Sequence, residues 1–288
     1  MMRVSGLLRV GLQVTNLNQM RDFYHRNWGM ALINDDGQEV AFRCQESRKC
    51  DLLLRAGSTD GLDHVAFAVA SEDEMMAILE NLESHGHSIQ EKLRPGRHTG
   101  DDLVASFLDP DRNRVELVVP TQIDGEAGFE VTTTGPLKLG HVVLWTPRQA
   151  DQEAFYSLLG FRVSDRTQIG MSFLRCNHDH HSLAFVKNAG ERTGLQHLAF
   201  DVGSLDTVML EAARMRDEGN PCIWGVGRHG PGNNIFSYYQ DPAGNVIEYY
   251  SDMELVTDTQ PVQERFWGPE HNGDVWGLSG PPPEPFLD

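Results

Sequence analysis

The segment GLQHLAFDVGS (Gly194–Ser204) nearly repeats GLDHVAFAVAS (Gly61–Ser71): seven of eleven positions agree, with a histidine fourth in each. The resemblance extends along the chain. GLLRVGLQVTNL (Gly6–Leu17) is similar to GPLKLGHVVLWTP (Gly135–Pro147), and DPDRNRVELVV (Asp109–Val119) to DPAGNVIEYY (Asp241–Tyr250). Gly11 and Gly140 are 129 residues apart, His64 and His197 are 133 apart, and Asp109–Asp241 and Glu116–Glu248 are each 132 apart. Landmarks in one order at a near-constant offset mark a duplicated domain. A chain built this way must fold as two copies of one unit.

Each copy opens with the apolar alternation of a strand and passes into a helix-like stretch ending near glycine. The twin phrase follows, then a second helical stretch, EDEMMAILENLESHG or LDTVMLEAARMRDEG. Paired strands around an Asp-Pro turn close the unit, proline pre-setting the first central φ. This pattern predicts an α+β chain with more strand than helix. It divides into residues 1–125, residues 135–255 and a Pro/Gly-rich, irregular tail at 256–288. The polar stretch Pro120–Pro136 is the boundary. Trp267 and Trp276 point to a tail that packs on the body or on a neighbouring subunit.

Composition narrows the function. A formal net charge of −18 argues against nucleic acid, whose binding needs a basic surface to displace counterions. The sequence has no apolar run long enough to span a membrane, and its opening lacks the apolar core of a signal peptide. Cys44, Cys50, Cys176 and Cys222 form no CxxC pair. They read as free thiols in a reducing cytoplasm, a setting that also suits Fe(II).

Alternation in the second copy of the phrase sets Gln196, Leu198, Phe200 and Val202 on one side of a strand, and Leu195, His197 and Ala199 on the other. His141 shares a row with Leu139, Val143 and Trp145. Glu248 interrupts the apolar run NVIEYY. An imidazole or carboxylate among such neighbours is costly unless it is paired. A divalent metal held by His141, His197 and Glu248 removes that cost and leaves coordination positions open, as in non-haem Fe(II) oxygen enzymes. The matching positions in the first half are read as Leu12, His64 and Glu116. Leucine offers no ligand, so that metal site is degenerate and His64 is a remnant of the duplication.

These three residues, with GRHG (Gly227–Gly230) and DPAGNVIEYY (Asp241–Tyr250), resemble the type I extradiol ring-cleavage dioxygenases of the vicinal-oxygen-chelate superfamily. The catechol 2,3-dioxygenases and 2,3-dihydroxybiphenyl 1,2-dioxygenases belong to that group. The resemblance covers residues from about 5 to 254. It implies two tandem domains, each a pair of βαβββ modules curled around a cavity, with metal only in the second. It further implies His181 as the acid/base, with His229 and Tyr238 lining the substrate side of the metal, although Tyr239 competes with Tyr238 for the inward-facing position. His178 and His180 are left unassigned, His98 is given a structural role, and Asp241 is assigned to its turn.

The activity so implied is ring fission beside two vicinal hydroxyls, both atoms of O2 entering the product, at Fe(II), with Mn(II) also fitting the ligands. A homo-oligomer is implied as well. Relatives that act on carboxylated rings use an arginine and an asparagine where this chain has Trp224 and Val143, so the substrate expected is an uncharged alkyl-, aryl- or fused-ring catechol. Arg166, Arg175 and Arg265 stay open as carboxylate partners. The competing expectations are a metal-free small-molecule-binding protein and another metalloenzyme of the superfamily, an isomerase or a hydroquinone dioxygenase.

Overall fold

The computed structural model describes residues 3–47, 49–98, 101–121, 135–257, 263–269 and 273–286. Most of the Pro120–Pro136 boundary stretch lies outside these described residues.

In the first half, β1 (Gly6–Val14) leads into α1 (Leu17–Asp22), which continues as a π-helical turn (Phe23–Asn27). Three strands follow: β2 (Ala31–Asp35), β3 (Glu39–Arg43) and β4 (Leu52–Ala56). The same βαβββ unit then recurs as β5 (Gly61–Ala68), α2 (Glu72–Ser84), β6 (Ile89–Pro95), β7 (Asp101–Leu108) and β8 (Arg114–Pro120). The second half repeats both. Its first unit is β9 (Lys138–Thr146), α3 (Gln149–Leu158), β10 (Arg162–Thr167), β11 (Met171–Arg175) and β12 (Leu183–Lys187). Its second is β13 (Gly194–Asp201), α4 (Leu205–Asp217), β14 (Trp224–Arg228), β15 (Ile235–Gln240) and β16 (Val246–Ser251). The tail contributes β17 (Arg265–Trp267), which pairs in parallel with β10. The tail expected to be irregular therefore extends the sheet and packs on the body.

The strand orders are β2-β3-β4-β1-β5-β8-β7-β6 and β14-β15-β16-β13-β9-β12-β11-β10-β17. In each sheet the two opening strands meet antiparallel at the centre. The twin phrases are β5 and β13, and each ends on the serine that caps the next helix. Ser71 Oγ accepts from the Glu74 amide and Ser204 Oγ from the Thr207 amide. One phrase thus encodes a central strand and the start of a helix, satisfying an amide the helix leaves unpaired.

One face of each sheet joins a common apolar core reaching across both halves, including Trp28, Phe67, Leu144, Phe200 and Tyr249. The Trp28 ring of the first half stacks on Tyr249 of the second, centroids 3.6 Å apart. The Asp-Pro turns reinforce this contact. Tyr24 of the first half donates to Asp241 at 2.9 Å, and Gln152 of the second donates to Asp109 and Asp111 at 3.2 and 2.8 Å. Asp241 also accepts from the Ala243 and Asn245 amides. It is a turn residue, as expected.

Register corrects the expected first-half equivalences. On β9, Gly140 is bulged out and His141 lies opposite Ala199 of β13. On β1, Leu8 is bulged out and Arg9 lies opposite Ala66 of β5. Arg9, not Leu12, is therefore the counterpart of His141, while Leu12 is fully buried in the shared core. The Gly11–Gly140 anchor misleads because its offset of 129 is three short of the 132 that the register gives: the counterpart of the bulged Gly140 is the bulged Leu8, not Gly11. A second bulge, at Gln196, breaks the expected alternation on β13. Leu195 packs against the core, while Gln196 joins His197 at the cavity.

Candidate metal centre and cavity

Ala199 organises the site. It lies opposite His141 of β9 on one side and Glu248 of β16 on the other, with His197 two residues earlier on its own strand. A methyl group at this hub leaves room for three polar side chains to converge over it. His141 Nε2 is 3.2 Å from Glu248 Oε2, His197 Nε2 is 3.3 Å from the same oxygen, and the two nitrogens are 3.4 Å apart. All three residues are buried.

The electrostatics of this cluster call for a cation. Burial pushes the His197 imidazole down to about 4. Burial alone would raise Glu248, but its close contacts with the two imidazoles bring it down to about 2. His197 Nδ1 faces Gln196 Oε1; that oxygen only accepts, so the ring proton sits on Nδ1 and Nε2 carries a lone pair. Among the described residues Glu248 Oε2 has no hydrogen-bond donor, while Oε1 accepts from Asn234 Nδ2 at 3.1 Å. Two imidazole nitrogens and an anionic oxygen thus crowd a small buried space. A triangle of this size has its centre roughly 1.9 Å from each corner. That distance is close to the bonds of about 2.1 Å usual for imidazole nitrogen and carboxylate oxygen on a divalent ion. The residues fit a metal held by two histidines and one carboxylate.

The first half shows the same frame filled differently. Arg9 Nε donates to His64 Nε2 at 3.3 Å, and its Nη2 lies 3.6 Å from Glu116 Oε2. Asp63 stands where Gln196 does and accepts from His64 Nδ1 at 2.8 Å. Here a guanidinium supplies the positive charge. The residue that stands where the second half has His141 is Arg9 rather than Leu12.

The second-half triad opens into a cavity of about 570 Å³, within the range usual for small-molecule sites. His181, His229 and Tyr238 all stand on its wall. The His181 ring lies 4.3 Å from that of His141, and burial followed by the neighbouring imidazoles holds it well below the usual histidine range. His229 Nδ1 bonds the Gly273 carbonyl of the tail at 2.6 Å, which leaves Nε2 to accept from the Tyr238 hydroxyl at 2.9 Å. Burial, then the Glu248 charge, pushes the Tyr238 hydroxyl well above its ordinary value, so it stays a donor. Tyr239 points the other way, into the core, so Tyr238 is the one of the two that faces the cavity.

Val143 and Trp224 form apolar wall, Trp224 stacking on Tyr238 with centroids 5.3 Å apart. The arginines left open above have other partners. Arg166 pairs with Glu153 and Glu264, Arg175 bonds Val163 O and Ser164 Oγ, and Arg265 pairs with Asp165 and Glu254. His98 lies in the first half, where burial lowers its pKa. His178 is exposed and bonds the Val256 carbonyl. Sequence reasoning missed Gln196 and Asn234, which hold His197 and Glu248. It missed Phe286, whose ring packs 4.8 Å from Tyr238, and it left His180 without a place. Gln196 adjoins a ligand in sequence, so adjacency was a usable signal for it. The others are positioned by contacts far along the chain.

A profile described as glyoxalase/bleomycin resistance protein/dioxygenase superfamily matches residues 6–117 and 138–249. Over 255 residues the chain is 29% identical to metapyrocatechase 2 of Cupriavidus necator, covering 81% of this chain and 78% of that protein. It is 28% identical over 282 residues to the 3-methylcatechol 2,3-dioxygenase of Pseudomonas putida, covering 89% and 92%. The crystal structure of the Mn(II)-bound glyoxalase from Novosphingobium aromaticivorans superposes with a TM-score of 0.88 at 30% identity, covering 99% of this chain and 94% of that one. With both repeats matched, the chain belongs to the glyoxalase/bleomycin resistance protein/dioxygenase superfamily.

Proposed function

We propose that the protein is an Fe(II)-dependent extradiol dioxygenase that opens an uncharged, apolar-substituted catechol beside its two hydroxyls, with O2 as co-substrate. The observation that carries this reading is the convergence of His141, His197 and Glu248 on one point at the wall of a cavity that also presents His181, His229 and Tyr238. The relatives named as catechol and methylcatechol dioxygenases support it.

His141, His197 and Glu248 would hold the metal, and the metal would supply Lewis-acid activation of the diol and a place for O2 beside it. Two neutral imidazoles and one carboxylate would leave the loaded site with net positive charge, which would favour a diol that has lost a proton. His181, uncharged at neutral pH because it is buried, is placed to take that proton and return it later to a product oxygen. The Tyr238 hydroxyl and the His229 ring form a polar edge beside the triad that orients oxygen atoms by hydrogen bonding. Val143, and Trp224 stacked on Tyr238, exclude water and offer apolar surface to ring substituents. The exposed Lys187 is the one lysine or arginine among the described wall residues, so the wall favours an uncharged ring.

The test is to purify the protein without oxygen, load it separately with Fe(II) and Mn(II), add catechols bearing alkyl, aryl or carboxylate substituents, and admit air. A yellow ring-opened product from the apolar catechols is expected. A His181→Phe variant should keep its metal and lose turnover by about 10²–10⁴-fold. Metal-loaded protein that leaves every catechol intact refutes the reading.

A further inference from the structure

His181 is one of two adjacent buried histidines, and the other is built into a chain of polar contacts running away from the cavity. His180 is fully buried. Its Nδ1 lies 3.0 Å from His181 Nδ1, and its Nε2 lies 3.1 Å from Asp165 Oδ2. This is a charge-pair distance outside hydrogen-bond geometry, and Nε2 has no hydrogen-bond partner among the described residues. Asp165, itself fully buried, is held from the tail: Trp267 Nε1 donates to its Oδ2 at 2.6 Å, and Arg265 Nε to its Oδ1 at 3.0 Å. The histidine pair is also packed tightly. A Cβ on Gly232, whose φ is +73°, would come within 3.1 Å of His180 Nδ1 and 3.2 Å of His181 Cε1.

Proton placement follows from these contacts. The carboxylate charge of Asp165, 3.1 Å from Nε2, favours the His180 tautomer with its proton on Nε2. Its Nδ1 then carries a lone pair and can only accept from His181 Nδ1–H. With that proton fixed, His181 has its lone pair on Nε2, the nitrogen left for the cavity. An unsupported neutral imidazole divides between two tautomers, only one of which can take a proton from a substrate hydroxyl.

We infer that Asp165 and His180 are positioning residues that fix the tautomer of His181, with Arg265 and Trp267 of the tail holding Asp165 in place. The inference deepens the dioxygenase reading and rests on it for its kinetic consequence alone; the tautomer itself is readable without turnover.

The first experiment is nitrogen-15 NMR of labelled histidine in the protein loaded with Zn(II), which is diamagnetic. His181 protonated on Nδ1 and His180 on Nε2 is the expected result, and His181 protonated on Nε2 overturns the inference. In the Fe(II) enzyme, Asp165→Asn should lower kcat at least tenfold with KM changed less than threefold and one metal per chain retained. An unchanged kcat overturns the inference. His180→Gln supplies a carbonyl oxygen that accepts from His181 Nδ1–H without help from Asp165. It should keep at least ten times the kcat of His180→Leu, and adding Asp165→Asn to it should cost no more than a further twofold. Equal loss in the Gln and Leu variants overturns the relay. Should no catechol be cleaved, the dioxygenase reading fails while the NMR result still decides the tautomer.

Discussion

The guanidinium in the first half offers the sharpest test of how the duplicated frame is held. Arg9 is fully buried. It gives two hydrogen bonds to Asp101, at 3.2 and 3.0 Å, one to His64 at 3.3 Å, and lies 3.6 Å from Glu116. Arg9→Met keeps the approximate length of the side chain and deletes the charge. Glu116 Oε1 would keep Arg94 and Arg114, at 3.0 and 3.2 Å. Asp101, whose side chain is 1% exposed, would lose both donors. Breaking a buried pair by removing one partner costs about 3–5 kcal/mol, because an uncompensated charge stays behind. The variant is therefore expected to lose about that much in urea unfolding followed by far-UV circular dichroism, while its second-half metal content is unchanged. Removing the stranded charge should recover part of the loss, so Arg9→Met with Asp101→Asn should be more stable than the summed single effects by about 0.5–3 kcal/mol. A single variant that loses less than about 1 kcal/mol would refute the view that this cation organises the cluster.

Three shorter predictions concern other contacts. Gln196→Ala releases the partner of His197 Nδ1 and should weaken metal binding by about 10–100-fold in titration against a chelator; an unchanged affinity removes Gln196 from the site. Tyr24→Phe leaves buried Asp241 without its donor from the other half and should cost about 1–3 kcal/mol, read by the same urea assay, with a neutral result refuting the bridge. Asp51 is raised to about 6, burial being the main cause and the Cys44 amide opposing it. An acid with a raised folded pKa favours the folded state below its unfolded value of about 3.9 and loses that advantage as pH rises through 6, an effect of up to about 3 kcal/mol. Stability should fall across this window and fall less in Asp51→Asn, which keeps an acceptor for Cys44; parallel curves for the two proteins would refute the assignment.

How far the sequence could be read depended on whether each feature was local. The twin phrases are legible because one stretch carries strand alternation, a histidine and a capping serine together, and Ser71 and Ser204 start the helices those phrases announce. The Asp-Pro turns are legible because their aspartates bond amides two to four residues away. The bulges at Leu8, Gly140, Asp63 and Gln196 leave no mark in apolar alternation, since an extra residue simply exchanges the two faces. That is why alternation alone sets Leu195 beside His197; the match of Leu12 to His141 has a different source, a glycine anchor three residues out of the register. The surer anchor is Ala66 with Ala199: each lies opposite both an opening-strand residue, Arg9 or His141, and a closing-strand glutamate, Glu116 or Glu248. Alanine carries no chemistry and draws no attention, yet its small size is what lets the flanking side chains meet. His180 was illegible for the opposite reason. Its chemistry is plain, but its partner Asp165 lies fifteen residues earlier, and Arg265, which steadies that partner, lies one hundred residues beyond Asp165. What sequence shows poorly in such a fold is therefore the support of the reactive groups: it is assembled across bulges and from the tail, where neither periodicity nor adjacency reaches.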